Sequence, residues 1–246
     1  MDGLYDDADL YDLVSPPDPA MERFYLQAGG AGRSVLELAC GTGRFALPLA
    51  RSGADVVGGD ISESMLKRGR EAASDKGSVR FVHLDMRAFD LGRRFDTVVV
   101  AANSLMHLST HEEFASTFSS IARHLAPGGR LLFDLYVPSL HLLSVPPNER
   151  QPIGVFSHPR LGEVTVEETI TYDPATQISR ADWYWSREGA ADFRRTQLHL
   201  RQIFPQELPL LLQLGGLELA ERYGDFDRRP FDGTSWRQVC VAAKVD

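Results

Sequence analysis

From about residue 34 to about residue 136, short apolar runs alternate with stretches whose apolar positions recur at helical spacing. The apolar runs cover 34–38, 55–59, 79–84, 95–101 and 130–136, each of strand length. Helices are predicted between them at 44–51, 64–74 and 112–125. Ser62 is placed to cap the second helix, because its hydroxyl can accept from an unpaired backbone N–H of the first turn. Pro127-Gly128-Gly129 is placed to end the third and turn the chain into the fifth strand. Strand and helix in strict alternation predict a doubly wound parallel sheet.

After Tyr136 the rhythm changes. A proline-rich stretch from Pro138 to Pro152 leads into segments of period two at 154–158, 163–172, 177–187 and 193–204, joined by turn-forming residues. They predict an antiparallel meander of three or four strands. Pro205 then opens a helix that Gly215-Gly216 closes, and two strands follow at 217–223 and 237–243.

The chemistry is concentrated in Val35-Leu36-Glu37-Leu38-Ala39-Cys40-Gly41-Thr42-Gly43. A strand running into a Gly-x-Gly turn lets the backbone approach a ligand closely, because glycine has no side chain and tolerates positive φ. Seventeen residues past Gly43, the second strand ends in Asp60, an acid placed to accept from both hydroxyls of a ribose. Together they predict a nucleoside-containing cofactor. Gly41-x-Gly43-x-x-Ala46 also fits the looser dinucleotide pattern. Charge separates the two readings. A pyrophosphate would be ill served by Glu37 beside the turn, whereas a cofactor carrying an ammonium and a sulfonium gains from it.

Glu37-Leu38-Ala39-Cys40-Gly41-Thr42-Gly43 resembles the cofactor motif of the Rossmann-like (class I) S-adenosylmethionine-dependent methyltransferases. The resemblance covers about residues 9–136 and the last two strands, and the inserted meander matches in type. It implies an α/β fold: a doubly wound, seven-stranded, mostly parallel sheet whose last strand is antiparallel, with an inserted antiparallel β-sheet over the substrate pocket. The expected organisation is one domain over 1–246, with an N-terminal helical lid at 1–30, a core at 31–137 and 204–246, and the inserted sheet at 150–203.

The same resemblance implies S-adenosyl-L-methionine as cofactor, with S-adenosyl-L-homocysteine as product, and assigns its contacts. Glu37, Ala39, Gly41 and Gly43 fall at the methionine end, Asp60 and Ile61 at the ribose, and Asp85 with the Met86 backbone at the adenine. Met65 is placed against the adenine face or in the core, Tyr11 over the methionine end, and Ala102 at the end of the fourth strand. His107 and Tyr5 are the catalytic candidates, His107 because an imidazole can take a proton from an ammonium or hydroxyl acceptor. Acceptor-side candidates are Asn103, Tyr136, Trp183, Trp185 and Arg201. Trp183 and Trp185 alternate with Tyr184, so both indoles share one strand face, as an aromatic wall or as packing.

Composition narrows the partners. The chain has 246 residues with 43% hydrophobic and 24% charged content, near globular averages. A net charge of −8 argues against nonspecific binding to nucleic acid or an anionic membrane. Neither a membrane-length apolar run nor a signal peptide is evident, and Cys40 and Cys240 read as buried thiols, so a cytoplasmic protein is expected, a monomer or homodimer. Asn103-Ser104-Leu105-Met106 stands where base-amino methyltransferases carry an Asn/Asp-Pro-Pro-aromatic motif, and no Pro-Cys nucleophile exists. Neither a CxxC nor a His-x-x-x-His spacing supplies a metal site. The expected activity is methyl transfer by in-line displacement to nitrogen or oxygen of a small, natural-product-like molecule. A noncatalytic binder of the same cofactor and a methyltransferase of RNA or protein are the alternatives.

Overall fold

Central strands of a parallel sheet are covered on both faces, so they read as unbroken apolar runs, whereas an edge strand alternates. That rule orders the larger part of this chain. The computed structural model describes residues 2–16, 18–29, 32–73 and 79–245, and it divides into two units.

The larger unit comprises Pro17–Val137 and Ile203–Asp246. Its strands are β2 (Ser34–Leu38), β3 (Asp55–Asp60), β4 (Val79–His83), β5 (Phe95–Val100), β6 (Leu125–Tyr136), β11 (Leu217–Tyr223) and β12 (Arg237–Lys244). They form one seven-stranded sheet in the order β11-β12-β6-β5-β2-β3-β4. Neighbours from β6 to β4 are parallel, and β12 runs antiparallel to both β6 and β11. Central β2 and β5 are buried almost throughout, while β4 at the edge is only partly covered.

Helices α2 (Pro19–Gly29), α3 (Ala46–Arg51), α4 (Glu63–Ala72), α5 (His111–His124) and α7 (Leu208–Leu214) belong to this unit. Phe24 and Tyr25 from α2 and Ala46 and Leu49 from α3 pack with Val35, Val56, Val99, Leu132 and Val239 in one core cluster. Helix α5 begins in a capping box: Thr110 accepts from the Glu113 N–H, and Glu113 reaches back to the Thr110 N–H. Because β2 to β6 are parallel, their C-terminal ends lie along one edge, where open α/β sheets bind ligands.

The smaller unit comprises Met1–Pro16 and Pro138–Gln202. Strands β7 (Gln151–His158), β8 (Gly162–Asp173), β9 (Ile178–Arg187) and β10 (Ala190–Arg201) form the antiparallel meander. A two-residue strand β1 (Asp2–Gly3) pairs in parallel with β10, making five strands. Helix α1 (Ala8–Val14) packs on β7, and the short α6 (Leu140–Leu143) packs on β8. Leu4, Leu10, Val164, Val166, Ala181, Trp185 and Leu198 form its core.

Three expectations are corrected. The N-terminal segment expected as a single lid over 1–30 is divided, with 2–16 in the smaller unit and α2 in the core of the larger. The inserted sheet has its expected extent, β7 to β10 over 151–201, but the expected three or four strands are joined by the N-terminal β1 as a fifth, which is too short to register as a period. The Pro127-Gly128-Gly129 turn lies inside β6, absorbed by a register shift against β5 between Phe95 and Thr97. Among the described residues, no helix is long and apolar enough to cross a membrane.

Candidate functional site

The turn after β2 is held open from below. Gly41 and Gly43 have φ of 54° and 86°. At Gly43 a Cβ would also meet the Phe81 ring at 2.9 Å, so only glycine fits there. Asp60, at the end of the neighbouring β3, accepts from the Gly41 N–H at 2.7 Å and from the Ser62 N–H at 2.8 Å. Its carboxylate thus joins the glycine turn to the start of α4. Burial raises its pKa, opposed by those backbone donors.

Glu37 lies beneath the same turn, 2% exposed. Desolvation is the main cause that lifts its pKa to about 8; an N–H from Ala46 and the charge of Arg44 oppose the rise, while Asp60 adds to it. Its Oε2 is buried without a hydrogen-bond partner. A buried carboxylate with an unmet oxygen is a costly arrangement that a cationic ligand would relieve.

Backbone strain is gathered at this edge as well. Ala39 after β2, and Ala102 and Asn103 after β5, all have positive φ, which costs an L-residue about 1 kcal/mol or more. The second pair is clamped from β6. The buried Asp134 accepts from the Ala102 N–H at 2.8 Å and from the Tyr25 hydroxyl at 2.6 Å, and Asn103 Oδ1 accepts from the Tyr136 N–H at 2.8 Å. Strain held in place by a buried carboxylate at a sheet edge marks a surface kept ready for a ligand.

Comparison with known proteins agrees. A model of the methyltransferase domain matches residues 35–129. The cypemycin N-terminal methyltransferase of a Streptomyces species is 36% identical over 214 residues, 85% of this chain and 82% of that protein. The solved CcbJ methyltransferase from Streptomyces caelestis is 32% identical, with a TM-score of 0.86 over 100% of both chains. The chain belongs to the S-adenosylmethionine-dependent methyltransferases. A third relative, the dTDP-3-amino-3,4,6-trideoxy-alpha-D-glucopyranose N,N-dimethyltransferase of Streptomyces venezuelae, is 38% identical over 101 residues; the match spans only 41% of each protein's length.

The residues present fit the family's cofactor. The unmet Glu37 Oε2 suits the ammonium of the methionine end, and Asp60 suits the ribose, while the glycine turn leaves room for close approach. Ile61, 59% exposed beside Asp60, offers an apolar surface, and its carbonyl oxygen lies 2.9 Å from His83 Nε2. Met65 is 1% exposed and packs in the interior, the second of its two expected places. Asp85 sits at the end of β4 as expected but is shared: Arg87 donates to it from Nε, Nη2 and the backbone, and Arg87 is held in turn by Glu113 at 2.7 Å. The Arg87 guanidinium keeps the Asp85 carboxyl below the ordinary range. Met86 follows in the same turn, half-buried.

His107, half-buried, ends a single 3-10 turn that follows Asn103. In the smaller unit, Tyr5 and Tyr11 lie 5.6 Å apart and pack on its core. Trp183 and Trp185 share a face of β9, as their spacing predicts, but differ in fate. Trp183 is half-buried and donates to Glu168 at 3.0 Å. Trp185 is fully buried with its indole N–H on Thr196, so the expectation that it lines the acceptor pocket is corrected to packing. Arg201 is likewise corrected: it is buried and donates to the Thr176 carbonyl and the Gln177 side chain, which pins the turn between β8 and β9.

Three residues of the larger unit escaped the sequence reading. Asp134 had a legible signal, a lone acid inside the apolar run Leu131 to Leu135. Tyr25 and Trp236 had none, because their importance depends on which strand and helix lie beside them.

Proposed function

We propose that the protein methylates nitrogen, or secondarily oxygen, of a small natural-product-like acceptor, as a cytoplasmic enzyme acting as a monomer or homodimer. The observation that carries the reading is the buried Glu37 carboxylate with its unmet oxygen beneath the Gly41–Gly43 turn. That arrangement suits a cationic amino-acid end and is ill suited to a pyrophosphate. Bound S-adenosylmethionine supplies an electrophilic methyl group on a sulfonium. The protein's own task is to orient the acceptor, exclude water and take up the proton that the acceptor releases.

His107 is the proposed proton acceptor, set on the short turn that follows β5. Nitrogen is preferred because one relative is named as an N,N-dimethyltransferase of an amino-bearing glucopyranose and another as an N-terminal methyltransferase. Gly41, Gly43, Asp60, Ile61, Ala39, Ala102 and the Met86 backbone are the proposed remaining cofactor contacts.

Calorimetric titration with S-adenosylhomocysteine, with NAD⁺ alongside, is the first test, followed by transfer of labelled methyl to a panel of primary amines, secondary amines and alcohols. Tight binding of S-adenosylhomocysteine alone and labelling of an amine are expected. Binding of NAD⁺ alone would overturn the cofactor assignment. Binding of S-adenosylhomocysteine with labelling confined to RNA or protein would overturn the acceptor class.

A further inference from the structure

Two large aromatic side chains stand exposed together at the ligand edge of the seven-stranded sheet. Tyr136 ends β6 and Trp236 immediately precedes β12. The antiparallel pairing of those strands brings them together, with the Val137 N–H donating to the Trp236 carbonyl at 2.9 Å. Their rings are stacked, 5.6 Å between centroids at 26°, yet Tyr136 remains 46% and Trp236 48% exposed. The Arg237 guanidinium lies 3.8 Å over the Trp236 ring and is itself buried against Phe226, which steadies the indole from its own strand.

A polar group accompanies the pair. Asn103 uses its Oδ1 to accept the Tyr136 N–H, which aims its amide NH₂ away from that bond. That NH₂ makes no hydrogen bond among the described residues. Exposed stacked rings cost solvation without packing return, and a free amide donor beside them adds direction. The sheet order decides which ligand they serve. Most of the proposed cofactor contacts occupy the ends of β2, β3 and β4, with Ala102 the one at the end of β5, and β5 and β6 lie on the other side of β2. The part of the edge left for the acceptor is where Asn103, Tyr136 and Trp236 stand.

We propose that Trp236, with Tyr136 and the Asn103 amide, forms the recognition platform for the methyl acceptor, and that the acceptor is a ring-bearing amine with a hydroxyl or carbonyl on its rim. The ring lies against the aromatic pair through its C–H face. Any cationic amine gains from the indole π-system, and the rim oxygen accepts from Asn103. The inference rests on the methyltransferase reading and names its acceptor class.

The test uses the full chain saturated with S-adenosylhomocysteine, whose own binding is measured first by calorimetry. D-glucosamine serves as a hydroxylated ring amine, and ethanolamine as an acyclic amine of the same charge. Quenching of tryptophan emission by D-glucosamine, stronger than by ethanolamine and absent in Trp236→Phe, is the expected result. No selective quenching in the wild type, or equal quenching in Trp236→Phe, overturns the platform. Failure of S-adenosylhomocysteine to bind would instead overturn the cofactor reading itself.

With a turned-over amine in hand, Trp236→Ala raises KM for it by about tenfold, the size of one desolvated cation–aromatic contact, with S-adenosylhomocysteine affinity unchanged. Trp236→Phe recovers much of that loss. An unchanged KM in Trp236→Ala, with the fold confirmed by circular dichroism, also overturns the proposal.

Discussion

Glu37→Gln separates what this site costs from what it gains. The glutamate carboxyl has an ordinary value of 4.5 and a folded value of about 8, raised chiefly by burial. Between those values the unfolded chain has released its proton while the folded chain retains it, so the folded state binds more protons and its stability falls as pH rises. The slope is about 1.4 kcal/mol per pH unit, so about 4 kcal/mol is lost between pH 5 and pH 8 in the absence of ligand. Well above pH 8 both states are ionised and the penalty is constant. Glutamine keeps the acceptor for the Ala46 N–H and carries no charge, so the variant lacks this slope. Urea denaturation of both proteins across pH 5 to 9 measures it: the Glu37→Gln variant is expected to overtake the wild type by a few kcal/mol at pH 8. Function runs the other way. Without the carboxylate, affinity for S-adenosylhomocysteine drops by roughly tenfold to a hundredfold, the worth of a charge-assisted hydrogen bond of about 1.5–3 kcal/mol. Calorimetry at pH 7 in buffers of different ionisation enthalpy adds a direct readout. A ligand ammonium forces Glu37 to ionise, so the wild type releases close to one proton on binding and the variant releases none. Parallel stability curves together with equal proton release would refute the assignment of Glu37 to the cofactor's ammonium.

Asp60→Ala removes both the proposed ribose acceptor and the support of the Gly41 N–H; S-adenosylhomocysteine affinity measured by calorimetry falls by about tenfold or more. Tyr25→Phe deletes the 2.6 Å bond to buried Asp134 and destabilises the fold by about 1–3 kcal/mol in urea denaturation; unaltered stability would deny the clamp a structural role. Gly43→Ala places a Cβ against Phe81 at positive φ, so thermal stability and cofactor affinity fall together. His107→Ala lowers kcat by about a hundredfold at unchanged cofactor affinity if the imidazole takes the acceptor's proton, and a twofold change would leave it only a positioning role.

The sheet was legible because its signals are local. Val35, Leu36 and Leu38 form an apolar run interrupted only by Glu37 because both faces of β2 are covered, and Gly41 and Gly43 punctuate it at the point where the backbone must turn. The acids were equally legible, Glu37 as the one charge inside the first apolar run and Asp60 as the residue that ends the second. Side chains whose role depends on a partner strand were not. Period two places Trp183 and Trp185 on one face of β9, yet it cannot say that Trp185 fills the middle of a core while Trp183 meets Glu168 at its margin. Arg201 carries a charge that sequence reading assigns to a ligand, whereas the neighbouring turn consumes it. Conversely, Trp236 gains its place from a register: Arg237 opposite Tyr136 fixes which two rings meet at the edge of the sheet. The same dependence explains Asp134. Within β6 it is an anomalous acid in an apolar strand, and only the arrival of Tyr25 from α2 and the strained Ala102 turn from β5 gives it a reason to be buried. Three elements distant in sequence therefore share one carboxylate, which makes the shape of this sheet edge depend on the packing of α2.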